Sequence, residues 1–273
     1  MSAVISELIE LDDLRELSRL FAGVWQRSGE PPVLSDVLKA LAHSGNYVSG
    51  FRQDGRLVGG LVGWLGGVPP DHLHLHSHIL GVIPGRDTRG VGFELKQHQR
   101  RWCLERGIKV MEWTTDPLIR RNAYFNLTKL GACAQGYLVN FYGQMADGLN
   151  VGEESDRLLV VWELESPAAE TAASGRASEP DVESLIRAGA VRRLEIGHGG
   201  EPVATDGSSG SVLLCQVPED IVAVRQTNPE LARAWRLALR VAMTTALDEG
   251  FEISGATRSG WYVLSPRDPS RGH

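Results

Sequence analysis

The stretch from Leu73 to Gln99 constrains the fold most, because it reads as an apolar strand, a glycine-containing turn and then a helix. The alternating residues before Pro84 have the period of two that is typical of a β-strand. Gly90 and Gly92 allow the backbone to turn tightly and to approach a ligand. The helix that follows begins with amide groups that have no partner inside the helix, and the helix dipole adds positive potential there. The pattern therefore predicts a binding site for a diphosphate.

Composition and charge restrict the classes of function. The chain has 273 residues, 42% hydrophobic and 23% charged, as in ordinary globular proteins, and its net charge of −6 does not indicate a nucleic-acid-binding surface. The first residues lack the basic and apolar regions of a signal peptide, and no run approaches the roughly 18 apolar residues of a membrane span. We therefore expect a cytoplasmic location. Cys103, Cys133 and Cys215 have no metal or redox spacing and are expected to be small buried residues.

The first part of the chain predicts a strand, two helices and a hairpin. The strand covers residues 4–9, one helix residues 12–27, and a second short helix begins at Ser35. Two further strands, 46–52 and 56–64, are joined by an Asp-Gly turn. The second of these strands and the residues after it contain five glycines, which indicate either a loose loop or room for a substrate beside the sheet: Gly59, Gly60, Gly63, Gly66 and Gly67.

The middle of the chain alternates helices and strands. A helix is predicted over residues 90–105, a strand over 110–115, a helix over 118–130 and strands over 132–142 and 157–163.

The last third of the chain predicts a second, smaller domain. Residues 166–185 lack apolar periodicity and are predicted to form a linker, so that the domains cover residues 1–165 and 186–268. Asn228 and Pro229 are typical of a helix start. The predicted strands of this part are residues 191–196, 212–217, 221–224, 251–253 and 261–264.

The stretch around the glycine turn resembles the acetyl-CoA-binding core of the GNAT superfamily of acyltransferases. Val82, Pro84, Gly90 and Gly92 match the family pattern, whereas Asp87 occupies a position where the family has Gln or Arg. The resemblance implies an α/β (α+β) fold of the GNAT acyltransferase type. Its mixed central sheet would have splayed fourth and fifth strands, and here a smaller C-terminal α/β domain would follow.

Further stretches resemble a subgroup of predicted bacterial GNAT acyltransferases with a C-terminal extension. The resemblance implies an acyl-CoA-dependent N-acyltransferase that moves an acetyl or succinyl group to the amine of a small metabolite or amino acid. The co-substrate would be acetyl-CoA or another acyl-CoA, with no metal. The matching segments are residues 76–78, 114–118, 121–126, 129–131, 140–143, 155–158, 250–255 and 262–264.

The resemblance also implies which residues hold the CoA. The backbone of the glycine turn would bind the diphosphate, the strand edge before it would pair with the pantetheine arm, and a backbone amide near Leu80 or Gly81 would face the thioester oxygen. Two asparagines in the next helix either bond the CoA arm or make local backbone bonds. The implied CoA-binding residues are Leu80, Gly81, Val82, Arg86, Asp87, Thr88, Arg89, Gly90, Val91, Gly92, Asn122 and Asn126.

Four alternating histidines precede the turn, at positions 72, 74, 76 and 78. His76 and His78 stand at the spacing of the His-x-His pair of the arylalkylamine N-acetyltransferases, which implies His78 as base or relay and His76 second. The alternatives are histidines that are solvated at a sheet edge or satisfied in the core, and a zinc site. Neighbours on one strand face lie about 7 Å apart, too far for two of them to share one tetrahedral ion unaided.

The group that protonates the thiolate is less defined. The position of the usual family tyrosine holds Leu127, so Tyr124 or Tyr142 would have to substitute, although both residue types also serve in packing. Arg121 either binds a substrate carboxylate or pairs with Asp116 at the helix start, and local pairing is the commoner arrangement.

Two other functions remain open from the sequence. The chain would be a catalytically degenerate acyl-CoA-binding module if Asp87 and the missing tyrosine abolish turnover. Alternatively, the same pocket would serve another acyl-CoA reaction, such as O-transfer, hydrolysis or decarboxylation, because fold alone does not fix chemistry. A small-molecule partner is expected, with no nucleic acid or membrane, and a homodimer is left open.

Overall fold

The computed structural model describes residues 2–25, 29–68, 72–143, 154–205 and 210–267. The chain divides into two compact units, the first ending at Trp113 and the second beginning at Thr114. This division falls earlier in the chain than the domain boundaries at residues 165 and 186, which stay a prediction.

The described residues of the first unit form three helices and the strands that precede and follow them. Its strands have the order β1-β2-β3-β4-β5, antiparallel from β1 to β4 and parallel between β4 and β5. The described elements are β1 (Ala3–Glu7), α1 (Leu11–Val24), α2 (Ser35–His43), β2 (Tyr47–Gln53), β3 (Arg56–Val68), β4 (His72–Val82), α3 (Val91–Leu104) and β5 (Val110–Thr115).

Local sequence determines these elements as expected. The apolar stripe of α1 lies in the core, with Leu14, Leu17 and Phe21 almost fully buried. The turn between β2 and β3 places Asp54 and Gly55 at φ 49° and 80°, the left-handed region that an Asp-Gly hairpin turn requires.

The glycines of β3 lie in a strand, so the expectation of a loose loop was wrong. Helices α1 and α3 occupy the space beside two of them, Gly59 and Gly60. A Cβ on Gly60 would lie 2.1 Å from Leu17 Cδ1 of α1, and one on Gly59 would lie 2.9 Å from Val91 Cγ1 of α3. Glycine therefore lets two helices approach the sheet, and no substrate space remains at these two positions.

Strand β4 carries a β-bulge at His78. Ile79 pairs with Val62 and Ser77 pairs with Gly63, so His78 is the extra residue between two successive pairs. A bulge bends the strand and re-aims the side chains around it.

The second unit contains the remaining strands, in the order β7-β6-β11-β12-β10-β8-β9. Its described elements are α4 (Arg120–Ala123), a π-helical turn (Tyr124–Lys129), β6 (Cys133–Leu138), β7 (Arg157–Glu163), α5 (Pro167–Ala173), α6 (Val182–Arg187), β8 (Val191–Ile196), β9 (Pro202–Ala204), β10 (Leu213–Gln216), α7 (Ile221–Thr227), α8 (Pro229–Asp248), β11 (Phe251–Ala256) and β12 (Trp261–Pro266).

Three predicted segments differ from the structure. The helix expected over residues 118–130 is short and continues as a π-helical turn. The expected strand 221–224 is helix α7, because Asp220 accepts hydrogen bonds from the amides of Val222 and Ala223 and caps it. The expected linker contains helices α5 and α6, and Ser166 caps α5.

Helix α8 packs as predicted. Asn228 caps it by accepting from Leu231 N, and Pro229 occupies its first turn. Its buried stripe includes Trp235, whose Nε1 donates to Gly200 O at 2.9 Å.

The three cysteines are free and buried, as expected. Among the described residues, no helix is both long and apolar enough to cross a bilayer.

Replacement of Gly131 by alanine is expected to destabilise the protein by about 2–3 kcal/mol. Gly131 has φ +72°, and a Cβ there would lie 2.5 Å from the backbone oxygen of Ala168. The matched control is Gly23→Ala in α1, where the space is open and a gain of up to about 1 kcal/mol is expected. Urea denaturation measures both changes, and equal stability of Gly131→Ala and the wild type would contradict the packing argument.

Candidate active site

The predicted anion-binding turn lies directly after β4. Thr88 Oγ1 donates to Ile83 O at 2.7 Å, which closes the turn on itself. Gly90 has φ +91° and forms the N-cap of α3, and no side chain among the described residues caps this helix. The first turn of α3 is therefore open to an external acceptor.

The charges at this turn are mixed. Arg86, Asp87 and Arg89 are all exposed, so that two guanidinium groups flank one carboxylate. Arginines suit a diphosphate, whereas Asp87 opposes it. The local geometry fits the predicted CoA site, and the individual binding roles of these residues stay predictions.

The edge of β4 on the β5 side supplies the predicted pantetheine edge. The described register between these parallel strands pairs Leu75 with Met111 and His76 with Glu112, and β4 continues to Val82. Leu80 and Val82 are partly buried there, and Gly81 is covered by Phe21 and Trp25 of α1. This arrangement fits two strands that separate after a short paired segment.

The structure brings His76 and His78 together with a tryptophan that the sequence did not single out. The ring of Trp64 on β3 lies 5.0 Å from that of His76 and 4.4 Å from that of His78, measured between centroids, and the two imidazoles are 5.7 Å apart. Trp64 pairs with His76 across the antiparallel strands. The cross-strand register was the signal that could have identified Trp64.

Both histidines favour the neutral form. Burial, followed by the nearby His78 and His74, lowers the pKa of His76 to about 4. Burial lowers the pKa of His78 as well, although part of its side chain remains exposed. A neutral imidazole accepts a proton, so the pair has the protonation state that a base or relay requires at neutral pH.

The other two histidines of the strand have different surroundings. His74 Nε2 lies 3.6 Å from Glu112 Oε2, and its ring packs against Gly66. His72 is exposed at the start of β4. In the part of the chain that the structure describes, no group of three or more His, Cys, Asp or Glu residues is placed to hold a metal.

A buried lysine on the opposite face of β4 was missed by sequence reasoning. Lys96 Nζ donates to Ser77 Oγ at 2.7 Å and lies 3.7 Å from the centroid of the Trp113 ring. Burial lowers the pKa of Lys96 from 10.5 to about 7. Periodicity alone placed Leu95 and Trp102 of α3 inward, and it carries no indication that a lysine between them is buried too.

The predicted asparagines and Tyr124 lie in the second unit. Asn122 is exposed, whereas Asn126 is buried in the π-helical turn and its carbonyl accepts from Ala132 N. The guanidinium of Arg258 lies over the ring of Tyr124, 4.3 Å from the ring centroid. Local bonding and packing are thus shown for these residues, and their roles toward CoA stay predictions.

Tyr142, also in the second unit, is exposed with its hydroxyl 3.0 Å from Thr114 Oγ1. The guanidinium of Arg157 lies 5.4 Å from the centre of its ring. An exposed hydroxyl with a polar neighbour fits the predicted acid, and its role stays a prediction.

Asp116 has partners other than the expected Arg121, which is exposed. Asp116 Oδ2 lies 2.7 Å from Arg225, 3.7 Å from Arg236 and 3.8 Å from Arg157. Burial alone would raise the pKa of Asp116, but Arg225 and Arg236 more than offset this and lower it. The local helix-start pair is therefore replaced by an ion-pair cluster with residues distant in sequence.

Comparison with solved structures gives similar folds at low identity. An N-acetyltransferase from Staphylococcus aureus Mu50 is 14% identical, with 60% of this chain covering 100% of that one at a TM-score of 0.50. Naa50 from Arabidopsis thaliana, in complex with the bisubstrate analogue CoA-Ac-MVNAL, is 15% identical; the match covers 59% of this chain and 99% of that one, with a TM-score of 0.48. The ribosomal-protein-S18-alanine N-acetyltransferase from Escherichia coli is 16% identical; the match covers 60% of this chain and 96% of that one, with a TM-score of 0.47. No curated protein sequence matches the chain.

A mixed sheet, a strand that ends in a glycine turn and a helix N-terminus open to an anion are the features expected of an α/β acyltransferase. Residues 11–131 match the model of the Acetyltransferase (GNAT) family. This region of the chain is therefore a GNAT acetyltransferase domain with the fold of that family, and it makes the protein an acyltransferase.

Lys96→Met is expected to change how stability depends on pH. The folded pKa of Lys96 is about 7 against 10.5 unfolded, so between these values the unfolded chain binds a proton that the folded chain lacks. The wild type therefore gains stability as the pH rises through this interval, by about 3–5 kcal/mol in full. The variant lacks this gain, because it has no group to titrate.

Urea denaturation at several values between pH 6 and pH 9 measures this effect. The free energy of unfolding of Lys96→Met minus that of the wild type should fall steadily across the range. Lys39→Met is the control, because Lys39 is an exposed lysine of α2 that bonds Ile9 O. A difference that stays constant for Lys96→Met would show that Lys96 is charged throughout.

Proposed function

We propose that the chain transfers an acetyl or succinyl group from acyl-CoA to the amine of a small metabolite or amino acid. The nitrogen attacks the thioester directly while both substrates are bound. Residues 85–92 hold the diphosphate, and the open edge of β4 pairs with the pantetheine arm. The amide near Leu80 or Gly81 faces the thioester oxygen, where negative charge develops during attack.

The observation that carries the proposal is the position of the neutral histidine pair on the same strand as the open edge. His78 lies at the bulge of β4, two residues before Leu80, and His76 lies beside it over Trp64. An ammonium acceptor must lose a proton before its nitrogen can attack, and a neutral His78 takes this proton. The carbon–nitrogen bond then forms, the carbon–sulfur bond breaks, and the second proton of the nitrogen passes to the departing sulfur, so that CoA leaves as the thiol.

A second candidate is a module that binds acyl-CoA without turnover. The specific observation in its favour is Asp87, an exposed carboxylate in the turn that must accept a diphosphate. Leu127, at the position where the family pattern implies a tyrosine acid, is buried and cannot donate a proton. Firm binding of acyl-CoA with no product from any amine would favour this candidate.

The first test is thermal melting with CoA, acetyl-CoA, succinyl-CoA and longer acyl-CoAs. A ligand that binds only the folded state at about 100 times its dissociation constant adds roughly 2.7 kcal/mol of stability. An upward shift of the melting temperature supports the CoA site and identifies the preferred donor. No shift with any of them contradicts the proposal at its first step.

His78→Ala is expected to lower kcat/KM by about 10²–10⁴-fold, because the general base is lost. The variant should still bind acyl-CoA, measured as the same shift in melting temperature as for the wild type. His43→Ala is the matched control, since His43 is exposed in the last turn of α2. Because the pKa of His78 is lowered below 6.5, the rate of the wild type should decline only below about pH 6.5. Unchanged turnover in His78→Ala would remove His78 from the mechanism.

Asp87→Gln is expected to tighten acyl-CoA binding about 3–10-fold, because one negative charge beside the diphosphate is removed. Arg89→Gln removes a positive charge from the same turn and should weaken binding by a similar factor. Calorimetric titration at low and high salt measures both, and the two effects should shrink as salt screens the charges. The two substitutions must change the affinity for acyl-CoA in opposite directions. Weaker binding by Asp87→Gln would contradict the proposed location of the diphosphate.

A further inference from the structure

An indole ring on β3 joins the two histidines of β4 into one cluster of three rings. The centroid of the Trp64 ring lies 4.4 Å from that of His78 and 5.0 Å from that of His76, and the ring planes are inclined by 38° and 37°. The two imidazoles are 5.7 Å apart, farther from each other than either is from the indole. Contacts between aromatic rings have distances of this order. Trp64 is therefore the member of the cluster that lies nearest to both others.

Backbone pairing sets the place of the indole beside the bulge of β4. Trp64 pairs with His76 across the two antiparallel strands, and His78 is the extra residue at the bulge. Gly66 lies two residues farther along β3, and a Cβ there would come within 2.7 Å of His74 Nε2, so the ring of His74 occupies the space above this glycine. The neighbouring position on β3 thus accommodates His74, and the indole packs against the two other histidines.

The ring of His78 is held by aromatic contacts and not by hydrogen bonds. Over the described ranges of the chain, its ring contacts are those with Trp64 and His76, and no hydrogen bond reaches either of its nitrogens. In contrast, Nδ1 of His98 lies 2.8 Å from the hydroxyl of Tyr47. An imidazole that acts as a base is usually oriented by a hydrogen bond at its second nitrogen. For His78, which is partly exposed, contact with the indole takes that place.

Packing of the core does not account for a tryptophan at this position. Trp64 is only partly buried, and it lies outside the buried core residues of the first unit. A β-branched residue satisfies a half-buried position of a strand as well as an aromatic one does. What the indole adds is a flat surface wide enough to contact two imidazoles at once.

We propose that Trp64 is a positioning residue of the acyl-transfer site: its indole, placed beside the β4 bulge by pairing with His76, fixes the orientation of the His78 ring through ring contact. This inference rests on the proposed function of His78 as base. An imidazole that turns away from the acceptor nitrogen cannot take its proton, and a misplacement of about 1 Å can lower a rate by roughly 100-fold. Trp64 therefore acts through His78.

Nuclear magnetic resonance of the full chain tests the ring contact without any substrate. The ring current of an adjacent indole displaces the signals of the carbon-bound imidazole protons, so the His78 signals, assigned with His78→Gln, should lie away from their free-histidine positions. Trp64→Leu should return them toward these positions, whereas Trp64→Phe keeps a flat ring and should preserve most of the displacement. Wild-type signals at the free-histidine positions, or a displacement that persists in a folded Trp64→Leu protein, overturn the proposal.

The control for both experiments is Leu65→Ala. Leu65 is the next residue of β3, is 52% exposed and, by strand alternation, lies on the opposite face of the sheet from Trp64. This substitution removes a large side chain from the same strand, and it should leave the His78 signals and the rate of transfer unchanged.

Transfer from acetyl-CoA to a panel of primary amines and amino acids gives the catalytic readout. Trp64→Leu should lower kcat about 10–100-fold, because the base is no longer held in one orientation. The affinity for acetyl-CoA, measured by calorimetry, should change by less than about 2-fold, since only a step after binding is impaired. Trp64→Phe should recover most of kcat. Wild-type kcat in a folded Trp64→Leu protein overturns the proposal.

Combination with His78→Ala distinguishes positioning from a merely structural role. If Trp64 acts only through His78, Trp64→Leu should cause no further loss of kcat in the His78→Ala protein. A further loss of the same size there, or a loss of acetyl-CoA binding, would indicate a structural role and overturn the proposal. Absence of transfer by the wild type would contradict the proposed function and with it the role of Trp64, and the substrate-free signals distinguish that outcome from a failure of the ring contact.

Discussion

The antiparallel pairing of β3 with β4 is the interaction on which the first unit depends. It runs from Val68 and His72 to Gly59 and Val82, and it shifts register once, at His78. Strand alternation places Ser77 on the buried side against α3, and the extra residue, His78, lies with His76 beside Trp64. The strand therefore has one face with the two histidines and an opposite, buried face that contacts Lys96.

The same pairing needs glycine at several positions of β3. Helices α1 and α3 approach the sheet so closely that Leu17 and Val91 occupy the places of the missing Cβ atoms of Gly60 and Gly59. Close approach fixes α3 against the sheet, and its N-terminus therefore stands at the end of β4, where the diphosphate is proposed to bind. The glycines of β3, which in the sequence indicate a loose loop, allow the close packing that fixes the position of the proposed anion site.

Sequence predicted what local rules control. The strand, turn and helix around Gly90 follow from periodicity and glycine spacing. The match of residues 11–131 to the GNAT family model confirms the resemblance of this pattern to that family. Helix α7 was mistaken for a strand because its β-branched residues outweighed Asp220, whose capping role was visible in the sequence. The partners of Asp116 were not predictable, since Arg157, Arg225 and Arg236 reach it from distant segments.

Lys96 shows why the electrostatics of such a site escape a linear reading. Two of its contacts come from other elements, Ser77 from β4 and Trp113 from β5, and only the folded sheet brings them to one point. Burial then acts on groups on both faces of β4 in the same direction, because desolvation favours the neutral form of lysine and of histidine alike. Burial by itself therefore keeps both imidazoles uncharged at neutral pH, as a proton acceptor requires.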